Sequence, residues 1–94
     1  MLNKNADIVL RGIIDRKGHK YQTREAIDSM QVLIRALVRE CTGDGDKDLL
    51  LDSFADVMIY MSQVATMYNI QKKDIDAKIN SKIDAMREDL ENGN

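Results

Sequence analysis

Asp56 is the residue of this chain that most strongly suggests chemistry, because it is the only charged side chain between Ser53 and Ile70. A carboxylate in such apolar surroundings loses hydration, and a cation, a hydrogen-bond network or contact with water must replace it. The sequence therefore allows two interpretations. Asp56 either belongs to a charged site or lies at the water-facing edge of a helical bundle.

Several familiar sites are excluded by residue type and spacing. The segment 44–48 opens like a calcium-binding loop, but the sixth position is Leu49 and the twelfth is Ala55, where Gly and Glu are needed. His19 is the only histidine, so no zinc site with a second His can form. The single Cys41 cannot form an internal disulfide, which fits a reducing compartment.

Length and composition predict one all-α domain spanning 1–94. The chain has 94 residues and no Pro, so long uninterrupted helices are permitted throughout. A net charge of −2 argues against nucleic-acid binding, which needs a clearly basic surface. The N-terminal residues lack the basic and apolar regions of a signal peptide, and 53–70 is too polar to span a bilayer. We therefore expect a soluble, cytoplasmic protein without a membrane partner.

Apolar spacing predicts four helices. The first covers 3–17 and ends at Gly18, and a connector over 18–22 leads to Thr23 as the N-cap of the second. The second helix ends before the break at 43–46.

The third helix, 47–69, is apolar on nearly all sides, which predicts a central helix surrounded by its neighbours. Asn69 is a candidate left-handed cap. A fourth, amphipathic helix covers 72–91, and residues 92–94 are expected to form a frayed, disordered tail. Four helices with short links predict a four-helix bundle.

Two segments of this sequence carry a resemblance to a known family. Residues 50–61 read Leu-Leu-Asp-Ser-Phe-Ala-Asp-Val-Met-Ile-Tyr-Met, and residues 22–37 place Ala, Leu and Ile at helical spacing. Both resemble the metal-binding helices of the MazG-like all-α nucleoside triphosphate pyrophosphohydrolases, and Lys82 falls where that family carries a Lys on its last helix. The resemblance extends from about residue 22 to residue 87 and implies a bundle completed by oligomerisation.

The resemblance also implies where a metal site would be. The family holds Mg²⁺ with carboxylates at i and i+3 on two facing helices, and in this sequence those positions are Ser29, Val32, Ser53 and Asp56. Only Asp56 is an acid, whereas Mg²⁺ requires hard oxygen ligands. The resemblance therefore implies a scaffold whose Mg²⁺ site is largely lost.

Two alternatives restore an acidic cluster. A shifted register would pair Glu25 with Asp28, but it breaks the apolar frame. Alternatively the site has moved, since Asp52 and Asp56 are at i,i+4 on one helical face and Asp28 is one turn before Val32. The sequence favours the simpler interpretation, in which Asp28 and Asp52 are hydrated surface acids.

The fourth helix supplies the candidate phosphate contacts. The resemblance gives Lys82 that role, and Arg87 would assist through a bidentate contact. A helix rich in Lys can equally be a solvated surface, which is the commoner case. No catalytic residue is identifiable.

Three functions remain open from the sequence. The first is a non-catalytic MazG-like protein, a pseudoenzyme that binds a nucleotide or a protein. The second is an active pyrophosphohydrolase that uses Mg²⁺, and the third is a regulatory protein–protein interaction module without a small-molecule ligand. All three include a homo-oligomer, a dimer or tetramer, because one short chain buries little core.

Overall fold

The computed structural model describes residues 3–93, and within them the chain is entirely helical. The helices are α1 (Lys4–Lys17), α2 (His19–Thr42), α3 (Lys47–Met67) and α4 (Lys72–Glu91). The predicted all-α class is confirmed. Of the predicted tail, residues 92 and 93 form a turn, and Asn94 lies outside the described residues.

The connection between α1 and α2 corrects the predicted start of the second helix. The sequence predicts a connector over 18–22 and an N-cap at Thr23, but α2 begins at His19. Gly18 has φ 87°, a value that glycine adopts without steric cost, so one residue redirects the chain. The N–H of Gly18 donates to the carbonyl of Ile14 at 2.8 Å, and Thr23 lies inside the helix.

The link between α2 and α3 is four residues long and capped at both ends. Gly43, in the left-handed conformation, ends α2, and its N–H is directed at the last carbonyls of that helix. Asp46 begins α3, because its carboxylate accepts from the N–H groups of Asp48 (3.0 Å) and Leu49 (3.3 Å). A short link between two long packed helices makes them antiparallel neighbours.

Small residues bring α2 and α3 together. Ala26, Ser29 and Ala36 of α2 and Ser53 of α3 are buried, and we call this packed boundary the α2–α3 seam. Small side chains let two helix backbones approach closely. α1 packs on the same pair of helices and buries Ile14.

The third helix is not enclosed as its sequence predicts. Leu51, Phe54 and Met58 are exposed, because α3 packs only on α2 and α1. The helix ends at Met67 rather than at Asn69. Asn69 does adopt the predicted left-handed conformation, with φ 56°.

The fourth helix stands apart from the other three. None of its described residues is buried, and none of its Cα atoms lies within 8 Å of a Cα in another helix. The radius of gyration is 16.4 Å, compared with about 12 Å for a compact domain of this length. The helical bundle is therefore confirmed, but within one chain α4 does not complete it. No helix between residues 3 and 93 has the length and apolar character needed to cross a membrane.

Candidate functional site

Serine occupies two of the four positions where the resemblance places metal-binding acids. Ser29 and Ser53 are both buried, Ser53 with only 2% of its surface exposed. The hydroxyl of Ser29 donates to the carbonyl of Ala26 at 2.8 Å, and that of Ser53 donates to the carbonyl of Leu49 at 2.7 Å. Each hydroxyl thus donates its hydrogen bond within its own helix, as serine inside helices often does.

The other two positions lie at the surface. Val32 is an exposed apolar residue and offers no ligand atom. Asp56 is exposed as well, so water hydrates its carboxylate without any need for a cation. Of the two interpretations of Asp56, the structure fits the water-facing edge of a bundle.

The predicted metal ligands are not assembled into one group. Asp28, Asp52 and Asp56 are all exposed. Among residues 3–93, no three His, Cys, Asp or Glu side chains are arranged so that they could hold a metal ion. Binding of Mg²⁺ by these three acids stays a prediction.

The predicted phosphate contacts lie on a different part of the molecule. Lys82 and Arg87 are exposed on α4, which packs on neither α2 nor α3. The guanidinium of Arg87 is 3.5 Å from the carboxylate of Asp84, an exposed pair that costs little to break. Their contact with phosphate stays a prediction.

Tyr60 is a half-buried residue of α3 whose hydroxyl has a raised pKa. Burial raises the pKa of its hydroxyl, and the negative charges of Glu25 and Asp56 and the nearby Tyr21 raise it further. The sequence hinted at this, because Tyr60 is one turn beyond Asp56. It gave no sign that Glu25, from the other helix, would be close.

Two buried glutamines were not predicted. Gln22 of α2 and Gln63 of α3 are almost fully buried, and their Oε1 atoms accept no hydrogen bond from residues 3–93. Buried side-chain oxygens are usually hydrogen-bonded, so these two positions stand out in the hairpin. The sequence did contain a signal for Gln63, because it is a polar residue inside the apolar run of α3.

A cleft of about 510 Å³ lies between α1, the end of α3 and the start of α4. Its volume falls within the range of small-molecule pockets. Its charges are mixed, and the ammonium of Lys72 already pairs with Asp76 at 2.8 Å. None of the site residues predicted from the sequence lines this cleft.

Comparisons with known proteins were made for the whole chain. No protein-family model matches it, and neither a curated protein nor a solved structure does so. The resemblance to the MazG-like family therefore rests on the residues quoted for it. Of these, Ser29 and Ser53 lie in the α2–α3 seam, whereas Val32, Asp56 and Lys82 are exposed.

The environment of Tyr60 gives a testable titration. Glu25→Gln removes a negative charge that disfavours the phenolate, so the pKa of Tyr60 should fall toward its ordinary 10.0. Asp28→Asn is the matched control, because Asp28 is not among the groups that raise this pKa. The measurement is an NMR titration of the tyrosine ring carbons, and an identical curve for Glu25→Gln and the parent would contradict the assignment.

The same shift makes stability depend on alkaline pH. Folding raises the pKa of Tyr60, so its protonated hydroxyl contributes to the free energy of unfolding. That contribution is fully present below pH 10.0 and is lost as the pH rises through the pKa of Tyr60 in the folded state. Tyr60→Phe should therefore make the free energy of unfolding less sensitive to pH above 10.0. Urea titrations at several alkaline pH values measure this slope.

Proposed function

We propose that this protein is a non-catalytic MazG-like helical protein that binds a nucleotide or a protein partner as a homo-oligomer. The observation that carries the proposal is the closed α2–α3 seam. Ser29 and Ser53 occupy two of the implied acid positions, and both hydroxyls are already bonded to backbone carbonyls.

Loss of these acids removes the basis of catalysis. In metal-assisted phosphate chemistry, the cation neutralises developing charge and orients the attacking water. A seryl hydroxyl is neutral and, in this seam, is directed to its own helix. One remaining carboxylate, Asp56, cannot balance a hydrated Mg²⁺ and a triphosphate, so several kcal/mol of transition-state stabilisation is lost.

Binding requires less than catalysis does. Lys82 and Arg87 are exposed, and each cation can contact phosphate oxygens without a metal. Five positions separate them, which places them about 140° apart around α4, so they would contact phosphate groups separately. Because their helix packs on no other helix of the chain, both cations are open to a nucleotide from solvent. This is the nucleotide-binding form of the proposal.

One observation favours the third candidate, the regulatory interaction module. The apolar stripe of α4 is uncovered, and its exposed members are Ile79, Ile83, Met86 and Leu90. An isolated helix of this length is only marginally stable in water, so a protein surface that covers the stripe would stabilise it. The alternative function is therefore binding through α4 without any small molecule.

Turnover is the first test of the proposal. Incubation with a panel of nucleoside triphosphates and Mg²⁺ should release no pyrophosphate above a protein-free blank, because most of the implied ligands are absent. Coupled detection of pyrophosphate measures this. Mg²⁺-dependent turnover that Asp56→Ala, Asp52→Ala or Asp28→Ala abolishes would refute the proposal and establish the active enzyme with a relocated site.

Nucleotide affinity separates the two non-catalytic forms. Calorimetry should show saturable micromolar binding of at least one nucleoside triphosphate, weakened about tenfold by Lys82→Ala, since one charge-assisted contact is worth roughly 1.5 kcal/mol. Lys73→Ala, an exposed lysine at the start of the same helix, is the control and should bind like the parent. No binding by the parent would favour the interaction module.

A further inference from the structure

An uncovered apolar stripe runs along α2. Each exposed residue of this stripe comes one position after a packed residue in the sequence. One position along an α-helix is a rotation of about 100° around its axis. The packed residues are Ala26, Ser29, Leu33 and Ala36, and the exposed ones are Ile27, Met30, Ile34 and Leu37. The steps between the exposed residues are three, four and three, the spacing of helices that pack side by side.

The third helix repeats the same arrangement. Its packed or half-buried residues are Ser53, Val57, Tyr60 and Val64, and its exposed stripe is Leu51, Phe54, Met58 and Met61. The steps are again three, four and three, and Phe54, Met58 and Met61 each follow a packed residue by one position. Because α2 and α3 are antiparallel, equal rotations bring both stripes to the same side of the hairpin.

The two stripes together form one surface, which we call the hairpin face: Ile27, Met30, Ile34, Leu37, Leu51, Phe54, Met58 and Met61. All eight side chains are apolar and exposed, so neither α1 nor α4 covers them. Contiguous apolar surfaces of this kind mark interaction sites.

The exposed area indicates how large the covering partner is. The chain exposes 7414 Å², whereas a compact monomer of 10.7 kDa exposes about 5,500 Å². The excess, about 1,900 Å², is shared between the hairpin and the uncovered α4, and it lies within the roughly 1,000–2,500 Å² that each partner buries in an obligate homodimer. It is above the roughly 800 Å² per partner of a standard-size complex.

We propose that the hairpin face is covered by the hairpin face of a second copy of this chain. A two-helix layer with three- and four-residue steps on both helices is matched by an identical layer, and the pair forms a four-helix bundle. A twofold arrangement brings the same patch from each copy together. This inference rests on the homo-oligomeric part of the proposed function and assigns its interface to α2 and α3 rather than to α4.

Oxidation of methionine in the unaltered protein tests the assignment. Light scattering should first give twice the 10.7 kDa of one chain, or a higher multiple. In that sample, hydrogen peroxide should oxidise Met58 severalfold more slowly than Met86, although the two are 49% and 62% exposed in a single chain. Dilution to the monomer should bring the two rates together. Rapid oxidation of Met58 in the assembled protein would overturn the assignment.

Charge variants give a second and independent readout. Ile34→Glu and Met58→Glu should each raise the dissociation constant about tenfold or more, because a buried unpaired charge disfavours the interface. Val9→Glu, at an exposed apolar residue of α1, is the matched control and should assemble like the parent. Circular dichroism at each concentration reports whether helix content is kept.

The outcomes distinguish two claims: that the protein is an oligomer, and that the hairpin face is its interface. A parent that is monomeric at high concentration would overturn both the oligomer and the hairpin face. Assembly that survives Ile34→Glu and Met58→Glu but is lost in Ile83→Glu would keep the oligomer and transfer its interface to α4. Calorimetry with nucleoside triphosphates on the same variants is a separate readout. Affinity that Lys82→Ala weakens would support the nucleotide-binding part of the proposed function whichever face assembles the chain, so failure of the hairpin face is distinguishable from failure of that part.

Discussion

The packing of α2 against α3 is the interaction on which the rest of the structure depends. Ala26, Ala36 and the two buried serines let the helices approach closely, and the capped four-residue link at 43–46 holds them antiparallel. α1 packs on this hairpin, whereas α4 packs on neither of its helices. Burial raises the pKa of Tyr60, and the charge of Glu25 from α2 raises it further.

The same packing limits what the space between α2 and α3 can hold. A metal site between two helices needs room for carboxylates and a hydrated cation, and acids crowded there repel one another unless the cation is present. Ser29 and Ser53 are neutral and donate to carbonyls of their own helices, so the packed boundary carries no such repulsion. Apolar side chains are exposed on the hairpin and on α4.

The sequence predicted helix ends and turns well where the backbone or side chain of a single residue determines them. Gly43, Asp46 and the left-handed Asn69 act through their own backbone and side chain, and their effects are visible in the sequence. The start of α2 was predicted wrongly at Thr23, because Gly18 alone makes the turn.

The prediction that neighbouring helices enclose α3 was also wrong. Apolar residues all round a helix predict burial, but one chain supplies too few neighbours to provide it. Among the candidate site residues, the exposed positions of Asp28, Asp52 and Asp56 agree with the hydrated-acid interpretation, whereas the proximity of Glu25 to Tyr60 depends on interhelical register.

Introducing an acid into the seam tests most directly whether it is closed. Ser53→Glu should lower the free energy of unfolding at pH 7 by about 3 kcal/mol or more, because a carboxylate would be buried there without a partner, and added Mg²⁺ should not restore it. Asp52→Glu, at the exposed neighbouring position, should change stability by less than about 0.5 kcal/mol. Urea denaturation with and without Mg²⁺ measures both. If Ser53→Glu were as stable as the parent, or regained its stability with Mg²⁺, the two helices would still have room for a cation and the closed seam would be wrong.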